Sequence, residues 1–280
     1  MKKRAYGKIN LGLKVVSKRT DGFHNLEMIM AKIDLFDEIE FKESGSLEVV
    51  CDGVAQEDNL VYKVAKYLKE RYYVKKGIKI IINKNIPMGA GLGGGSSDAA
   101  CAINTLNELW GLSLKENEKQ EIALMFGSDI PFFINNNIAY ATGRGEILEE
   151  IELKREVKLL IVKPQESVST KDVFKKVVVD DEKSNIKKAV EKIENDNIRE
   201  AIVMLNNDLE KYTNVLLCGK IELIKNKMKE FGCFKSIMSG SGSSVIGFFD
   251  EDEKAKKAKE YFEKENYFTC ETKIMGDVFE

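Results

Sequence analysis

Residues 87 to 98 read Pro87-Met-Gly-Ala-Gly-Leu-Gly-Gly-Gly-Ser-Ser-Asp98, and five of the chain's 21 glycines fall between positions 89 and 95. Such a run removes Cβ atoms, so that consecutive backbone N–H groups can wrap an oligophosphate, and a helix behind it adds the positive end of its dipole. Upstream, Gly77 introduces a β-rich run from Ile78 to Ile82; downstream, Asp98 to Trp110 is amphipathic and ends at Gly111. The order is strand, glycine loop, helix. A plain turn needs one or two glycines, whereas five in seven positions imply close approach by something large. The loop is not a Walker A motif, since no Gly-Lys-Ser/Thr follows at the right spacing. A Rossmann reading is poor because Gly91-x-Gly93 leads to Ser96.

Working outward, 280 residues point to two domains, divided here as 1–155, which carries the phosphate loop, and 156–280. Forty-four basic and 46 acidic residues leave a net charge of −2, so no global positive field exists to hold nucleic acid or an anionic membrane. Phosphate must be held locally. No window approaches 18 uninterrupted apolar residues, and Lys8, Asn10 and Lys14 interrupt the apolar stretch a signal peptide needs after Met-Lys-Lys-Arg; the expected location is the cytoplasm. Five scattered cysteines without a CxxC pair read as reduced, mostly buried thiols. A single histidine, His24, excludes a multi-histidine zinc site and weakens most hydrolase readings.

Residues 5 to 16 alternate as a half-buried strand, with Ile9, Leu11, Leu13 and Val15 inward. Lys8 and Asn10 share the other face, about 7 Å apart, where a solvated surface is the plain expectation. Strands follow at 26–42 and 45–51, and Asp58 is expected to cap a helix bearing Leu60, Val61, Val64, Ala65 and Leu68. Ser113 with Glu116 reads as a capping box for a helix that stops at Gly127, and Asp129 then reads as an N-cap or Asx-turn residue before Pro131. His24 lies in a turn, where a lone histidine is usually structural or exposed; Phe23 and Phe174 read as core. Beyond residue 156 come a strand (157–162), a helical region (184–231), a strand ending at Met238, the loop Ser239–Ser244, a strand (245–249), a charged helix and a last strand near 268–275. That order is β-α-β-β-α-β, a ferredoxin-like sandwich. The Ser239–Ser244 loop fits a simple hairpin connection equally well.

Lys8 and Asn10 on a strand, the 87–97 loop, Gly127-Ser-Asp129-Ile-Pro-Phe-Phe133 and the Ser239–Ser244 loop occur in the order found in the GHMP kinases, and the chain resembles that superfamily along nearly its whole length. The resemblance implies an α+β, two-domain fold, an N-terminal unit like ribosomal protein S5 domain 2 followed by a ferredoxin-like α/β sandwich. Asp21-Gly-Phe-His24-Asn-Leu, Glu57-Asp-Asn59-Leu and the Asp129 segment resemble the branch that phosphorylates the 2-hydroxyl of 4-diphosphocytidyl-2-C-methyl-D-erythritol in non-mevalonate isoprenoid synthesis. On that resemblance Asp129 accepts or orients the hydroxyl proton, and Lys8 stands beside Asp129 and the hydroxyl. Pro87, Met88, Gly89, Ala90, Gly91, Leu92, Gly93, Gly94, Gly95, Ser96 and Ser97 hold ATP with Mg²⁺, and Asn59 lies near adenine. Asn10 fixes the alcohol, His24 bonds the cytosine edge, and Phe23 and Phe174 stack on its faces. The chain departs from the pattern at Phe23, often Tyr, and at Asp98, where some relatives have Asn. Competing expectations are a homoserine- or mevalonate-type kinase, which has no use for a cytosine slot, and a silent nucleotide-binding regulator, which need not keep Lys8 and Asp129. A monomer or homodimer acting on a small molecule, without nucleic acid or membrane, completes the expectation.

Overall fold

The computed structural model describes residues 1–180 and 182–276. They form two compact units, one built from Met1–Gly7, Leu35–Met88 and Gly93–Asn136, the other from Lys8–Asp34, Gly89–Leu92 and the chain from Asn137 onward. Two long strands, β1 (Lys2–Lys18) and β2 (His24–Ser44), contribute residues to both.

In the first unit, β3 (Leu47–Cys51) runs parallel to β4 (Gly77–Asn83), and β4 pairs antiparallel with the second half of β2, from Glu38↔Asn83 to Ser44↔Gly77. Ile78, Ile80 and Ile82 point inward at the two-residue period of a strand. Helix α1 (Leu60–Arg71) buries Val61, Val64, Ala65 and Leu68, one stripe at helical spacing, and each fully buried Val or Leu contributes about 1.5–3 kcal/mol. Its N-cap is Asn59, whose side chain accepts from Val61 N at 2.8 Å, and not Asp58, which sits one residue earlier in a 3₁₀ turn. Helix α2 (Gly94–Trp110) packs against α1 through Ala-rich turns and stops at Gly111, φ +62°. Helix α3 (Glu116–Phe126) begins at Lys115, whose N–H donates to the Glu118 carboxylate at 2.9 Å. The expected Ser113–Glu116 box does not form, because Ser113 lies outside the helix with φ +57°. A single turn, α4 (Phe132–Asn135), closes the unit.

In the second unit, the first half of β2 pairs with β5 (Ile138–Thr142), and β5 with β6 (Ile147–Glu150). A separate sheet contains β7 (Lys158–Lys163), β8 (Lys235–Met238), β9 (Val245–Phe248) and β10 (Phe268–Lys273) in the order β10-β7-β9-β8, antiparallel throughout, as a ferredoxin-like sandwich requires. Helix α5 (Thr170–Lys176) precedes the expected helical region of 184–231, which is divided into α6 (Ile186–Glu194), α7 (Ile198–Met204), α8 (Glu210–Leu216) and α9 (Lys220–Glu230). Left-handed residues Cys218 (φ +51°) and Gly219 (φ +85°) force the last break. Ile221, Ile224 and Met228 of α9, with Ala258 and Phe262 of α10 (Asp252–Lys264), cover the sheet.

Three surface expectations are corrected. Lys8, Asn10 and Lys14 are not on a solvated face: all three are buried along with Ile9, Leu11, Leu13 and Val15. Phe23 is not core but 53% exposed. Of the five free cysteines only Cys233 is fully buried, and Cys218 is exposed. Among the described residues no helix is long and apolar enough to cross a membrane.

Candidate active site

The glycine loop is divided between the units, with Gly89–Leu92 in the second and Pro87, Met88 and Gly93–Ser97 in the first. The five glycines have different reasons to be glycine. Gly89, Gly91 and Gly93 adopt φ of +61°, +74° and +69°, where L side chains are strained. A Cβ on Gly94 would meet Ile86 at 3.0 Å and the Lys84 ammonium at 3.2 Å. Gly95 is the exception: it is exposed, in the first turn of α2, and the nearest atom to a Cβ there is Leu60 Cδ1 at 3.8 Å. Backbone conformation or packing explains four of the glycines and leaves room for a Cβ at the fifth, at the helix end where N–H groups have no intrahelical acceptor.

Asp98 faces inward. Its carboxylate accepts from Lys84 Nζ at 2.7 Å, and the same ammonium is bonded to Asp37. Asp37 also accepts from the backbone N–H groups of Asn85 (2.6 Å) and Ile86 (2.8 Å), so the strand leading into the glycine loop is pinned by one carboxylate. Burial, despite the Lys84 charge, pushes the Asp98 carboxyl up to about 7. The Lys84 ammonium is held above its ordinary value, the two carboxylates outweighing its burial.

Asp129 sits half-buried in the turn between α3 and α4. The turn is set by Ile130 N donating to Gly127 O and by Ile130, Phe132, Phe133 and Ile134, all buried. The N-cap of α4 is Pro131, with no side-chain cap bond, so Asp129 is not the helix cap it resembles in sequence. Asn104 of α2 donates to Ile134 O at 3.0 Å and fixes α4 to the helix that carries the glycine loop. Asn59 belongs to the first unit too, its oxygen occupied by the α1 cap.

The second unit holds Lys8, Asn10, Phe23, His24 and Phe174. Strand alternation places Lys8 and Asn10 on one face, and Lys8 Nζ donates to Asn10 Oδ1 at 2.6 Å. Asn10 Nδ2 donates to Met28 Sδ at 3.1 Å, and Asn10 N to Ser239 Oγ at 3.1 Å. Ser239 Oγ donates onward to Gly91 O at 3.0 Å, and Lys8 N to Leu92 O at 2.9 Å. The Ser239–Ser244 loop does connect antiparallel β8 and β9, but it is buried, and a Cβ on Gly91 would come within 2.2 Å of Ser239 O. It is therefore a support for the first glycine loop as well as a hairpin turn. His24 opens β2, is 7% exposed, and stacks on Phe174 with centroids 5.3 Å apart and planes 30° apart. Burial first, then the Lys18 charge, lowers the imidazole below its ordinary value, so the ring is neutral at pH 7. Phe23 is not part of that stack; its exposed ring carries the Arg144 guanidinium at 5.0 Å. Sequence reading missed Asn207, which is buried and donates to Met238 O (2.7 Å) and Gly240 O (2.8 Å) to brace the second loop; a lone Asn among helices gives no signal.

Residues 59–137 match the family model described as GHMP kinases N terminal domain, and residues 186–267 the model GHMP kinases C terminal. The fold and these two matches define a kinase of the GHMP class, and the α+β two-domain expectation holds. The chain is 41% identical over 266 residues, 93% of each chain, to a 4-diphosphocytidyl-2-C-methyl-D-erythritol kinase of Thermodesulfovibrio yellowstonii. It is 39% identical to the protein of that name from Bacillus subtilis, over 91% of this chain and 90% of the relative. A crystal structure of 4-(cytidine 5'-diphospho)-2C-methyl-D-erythritol kinase superposes with TM-score 0.83 at 28% identity, covering 99% of this chain and 100% of that one. Homoserine kinase from Cytophaga hutchinsonii shares the fold, with TM-score 0.71 at 18% identity over 97% and 94% of the two chains. The chain belongs to the 4-diphosphocytidyl-2-C-methyl-D-erythritol kinase family.

Proposed function

We propose that the chain transfers the γ-phosphoryl group of ATP to the 2-hydroxyl of 4-diphosphocytidyl-2-C-methyl-D-erythritol, a step in isoprenoid precursor synthesis by the non-mevalonate route. The observation that carries the donor half is Gly95, a glycine at a helix N-terminus where the fold itself has room for a Cβ, the nearest atom being Leu60 Cδ1 at 3.8 Å. The N–H groups of Gly93 to Ser96 suit phosphate oxygens there, while Ser97 N donates to Gly93 O at 2.9 Å and leaves Ser97 its hydroxyl to offer, and Pro87 to Leu92 shape the approach. Mg²⁺, when bound with the nucleotide, would supply charge neutralisation of the phosphates. Asn59 borders the adenine.

A tertiary alcohol is a poor nucleophile. Asp129 orients it and takes its proton, while the Lys8 ammonium, aimed by Asn10, neutralises charge on the group in transfer. For the acceptor, a neutral imidazole carries one donor and one acceptor nitrogen, and either one can meet a complementary position on a cytosine edge. His24 reads that edge, and Phe174 supplies an aromatic wall. Phe23, exposed and lacking a hydroxyl, contributes stacking alone. The identity of the relatives, near 40%, favours this acceptor over homoserine or mevalonate. The two family segments lie on either side of residues 155 and 156, where we set the domain boundary. The enzyme works in the cytoplasm as a monomer or homodimer, without nucleic acid.

The test is Asp129→Asn. It should leave nucleotide affinity nearly unchanged and lower kcat at least about a hundredfold. A kcat within about fivefold of wild type removes Asp129 from the chemistry.

A further inference from the structure

Phe174, the proposed wall of the base site, stands on a helix that cannot hold it unaided. Helix α5 has seven residues, of which Val173 alone is fully buried, and helices this short are unstable without tertiary support. Beyond that one apolar anchor, its support is polar and comes at both ends. At the start, Thr170 Oγ1 and Ser241 Oγ are 2.8 Å apart. Past the end, Val178 N donates to Tyr212 Oη at 2.8 Å, and Tyr212 Oη donates to Val178 O at 3.0 Å. Val178 is itself 72% exposed, so apolar burial does not hold this segment. Two residues on, the Asp180 carboxylate is bonded to Lys14 Nζ, and Lys211 Nζ lies 3.9 Å from its other oxygen.

Lys14 is a firm anchor. It lies on β1 with its side chain 11% exposed, and its ammonium is 3.3 Å from Asp208, whose carboxylate accepts from Val15 N at 2.9 Å. Burial pulls the Lys14 ammonium down, but Asp180 and Asp208 outweigh it and hold it above its ordinary value. One cation is thus shared between a carboxylate fixed to the strand and a carboxylate on the segment that trails α5.

On the acceptor reading above, we propose that Asp180, tied to Lys14, is a positioning residue for acceptor recognition: it fixes the segment behind α5 and so sets Phe174 against His24. It touches no reacting atom. Asp180→Ala is the informative change, because it leaves Lys14 paired with Asp208, whereas removing Lys14 would leave two carboxylates facing each other.

The experiment measures binding of cytidine 5'-diphosphate and of ADP to the full chain by calorimetry, for wild type, Asp180→Ala, Asp180→Glu, Phe174→Ala and the Phe174→Ala/Asp180→Ala double variant. Asp180→Ala should weaken cytidine diphosphate about five- to tenfold and raise the acceptor KM alike, with kcat and ADP affinity within about twofold. Asp180→Glu should restore most of the loss. The double variant should bind within about twofold of Phe174→Ala alone, since two residues acting through one wall are not additive. Wild-type affinity in Asp180→Ala, or losses that multiply in the double variant, overturns the proposal. Wild-type affinity in Phe174→Ala removes the acceptor-base reading itself, and this proposal with it.

Discussion

His24 is the chain's one histidine, so its ring gives a unique NMR signal. Burial lowers its pKa, and the sign of the consequence follows. Below the ordinary value of about 6.5 the unfolded chain takes up a proton before the folded one does, so this residue costs stability as pH falls and nothing above that point. The imidazole should titrate with a midpoint below 6.5 in the free protein, and cytidine diphosphate should shift its resonances. A midpoint at or above that value, unmoved by the nucleotide, contradicts a neutral ring that reads the base. Asp98 makes a related point at the same scale. Its sequence position beside the phosphate loop left open whether its charge faced outward, and the bond to Lys84 turns it inward.

Helix α2 and its loop show how glycines of one motif divide their work. Gly95→Ala should stabilise the fold by about 0.5–1 kcal/mol, because Ala is the better helix residue and a Cβ meets nothing nearer than 3.8 Å. The same change should weaken ATP at least about tenfold by occupying the space the phosphates use. Gly91→Ala should do the reverse: a left-handed φ and a backbone oxygen at 2.2 Å cost about 2 kcal/mol or more. Urea unfolding and nucleotide titration of both variants check this, and an Ala at 95 that binds ATP normally removes the cradle. Elements with a repeating pattern were legible in the sequence. The isoleucines of β4, the α1 stripe and the β8-loop-β9 order all lie where periodicity places them. End effects were not, since Asp58 and Asn59 are both good caps and only backbone geometry chooses between them. Nor were the long-range polar contacts. Asn10 meets Ser239 across 229 positions, and no local pattern announces that a Ser/Gly turn will carry a strand from the other end of the chain.

At the scale of the molecule, a family fold and a specific acceptor are separate questions, because homoserine kinase shares the architecture at 18% identity. The Asp129 turn and the Gly93–Gly95 end of the glycine loop belong to one compact unit, and the His24–Phe174 pair, with Gly89–Leu92, belongs to the other. The most direct test follows ADP release and product mass with MgATP and, in turn, 4-diphosphocytidyl-2-C-methyl-D-erythritol, homoserine and mevalonate. Turnover of the cytidine-linked alcohol, to a product heavier by one phosphoryl group and with neither other alcohol consumed, is the predicted result. Turnover of homoserine or mevalonate, with the cytidine-linked alcohol left untouched, would contradict it.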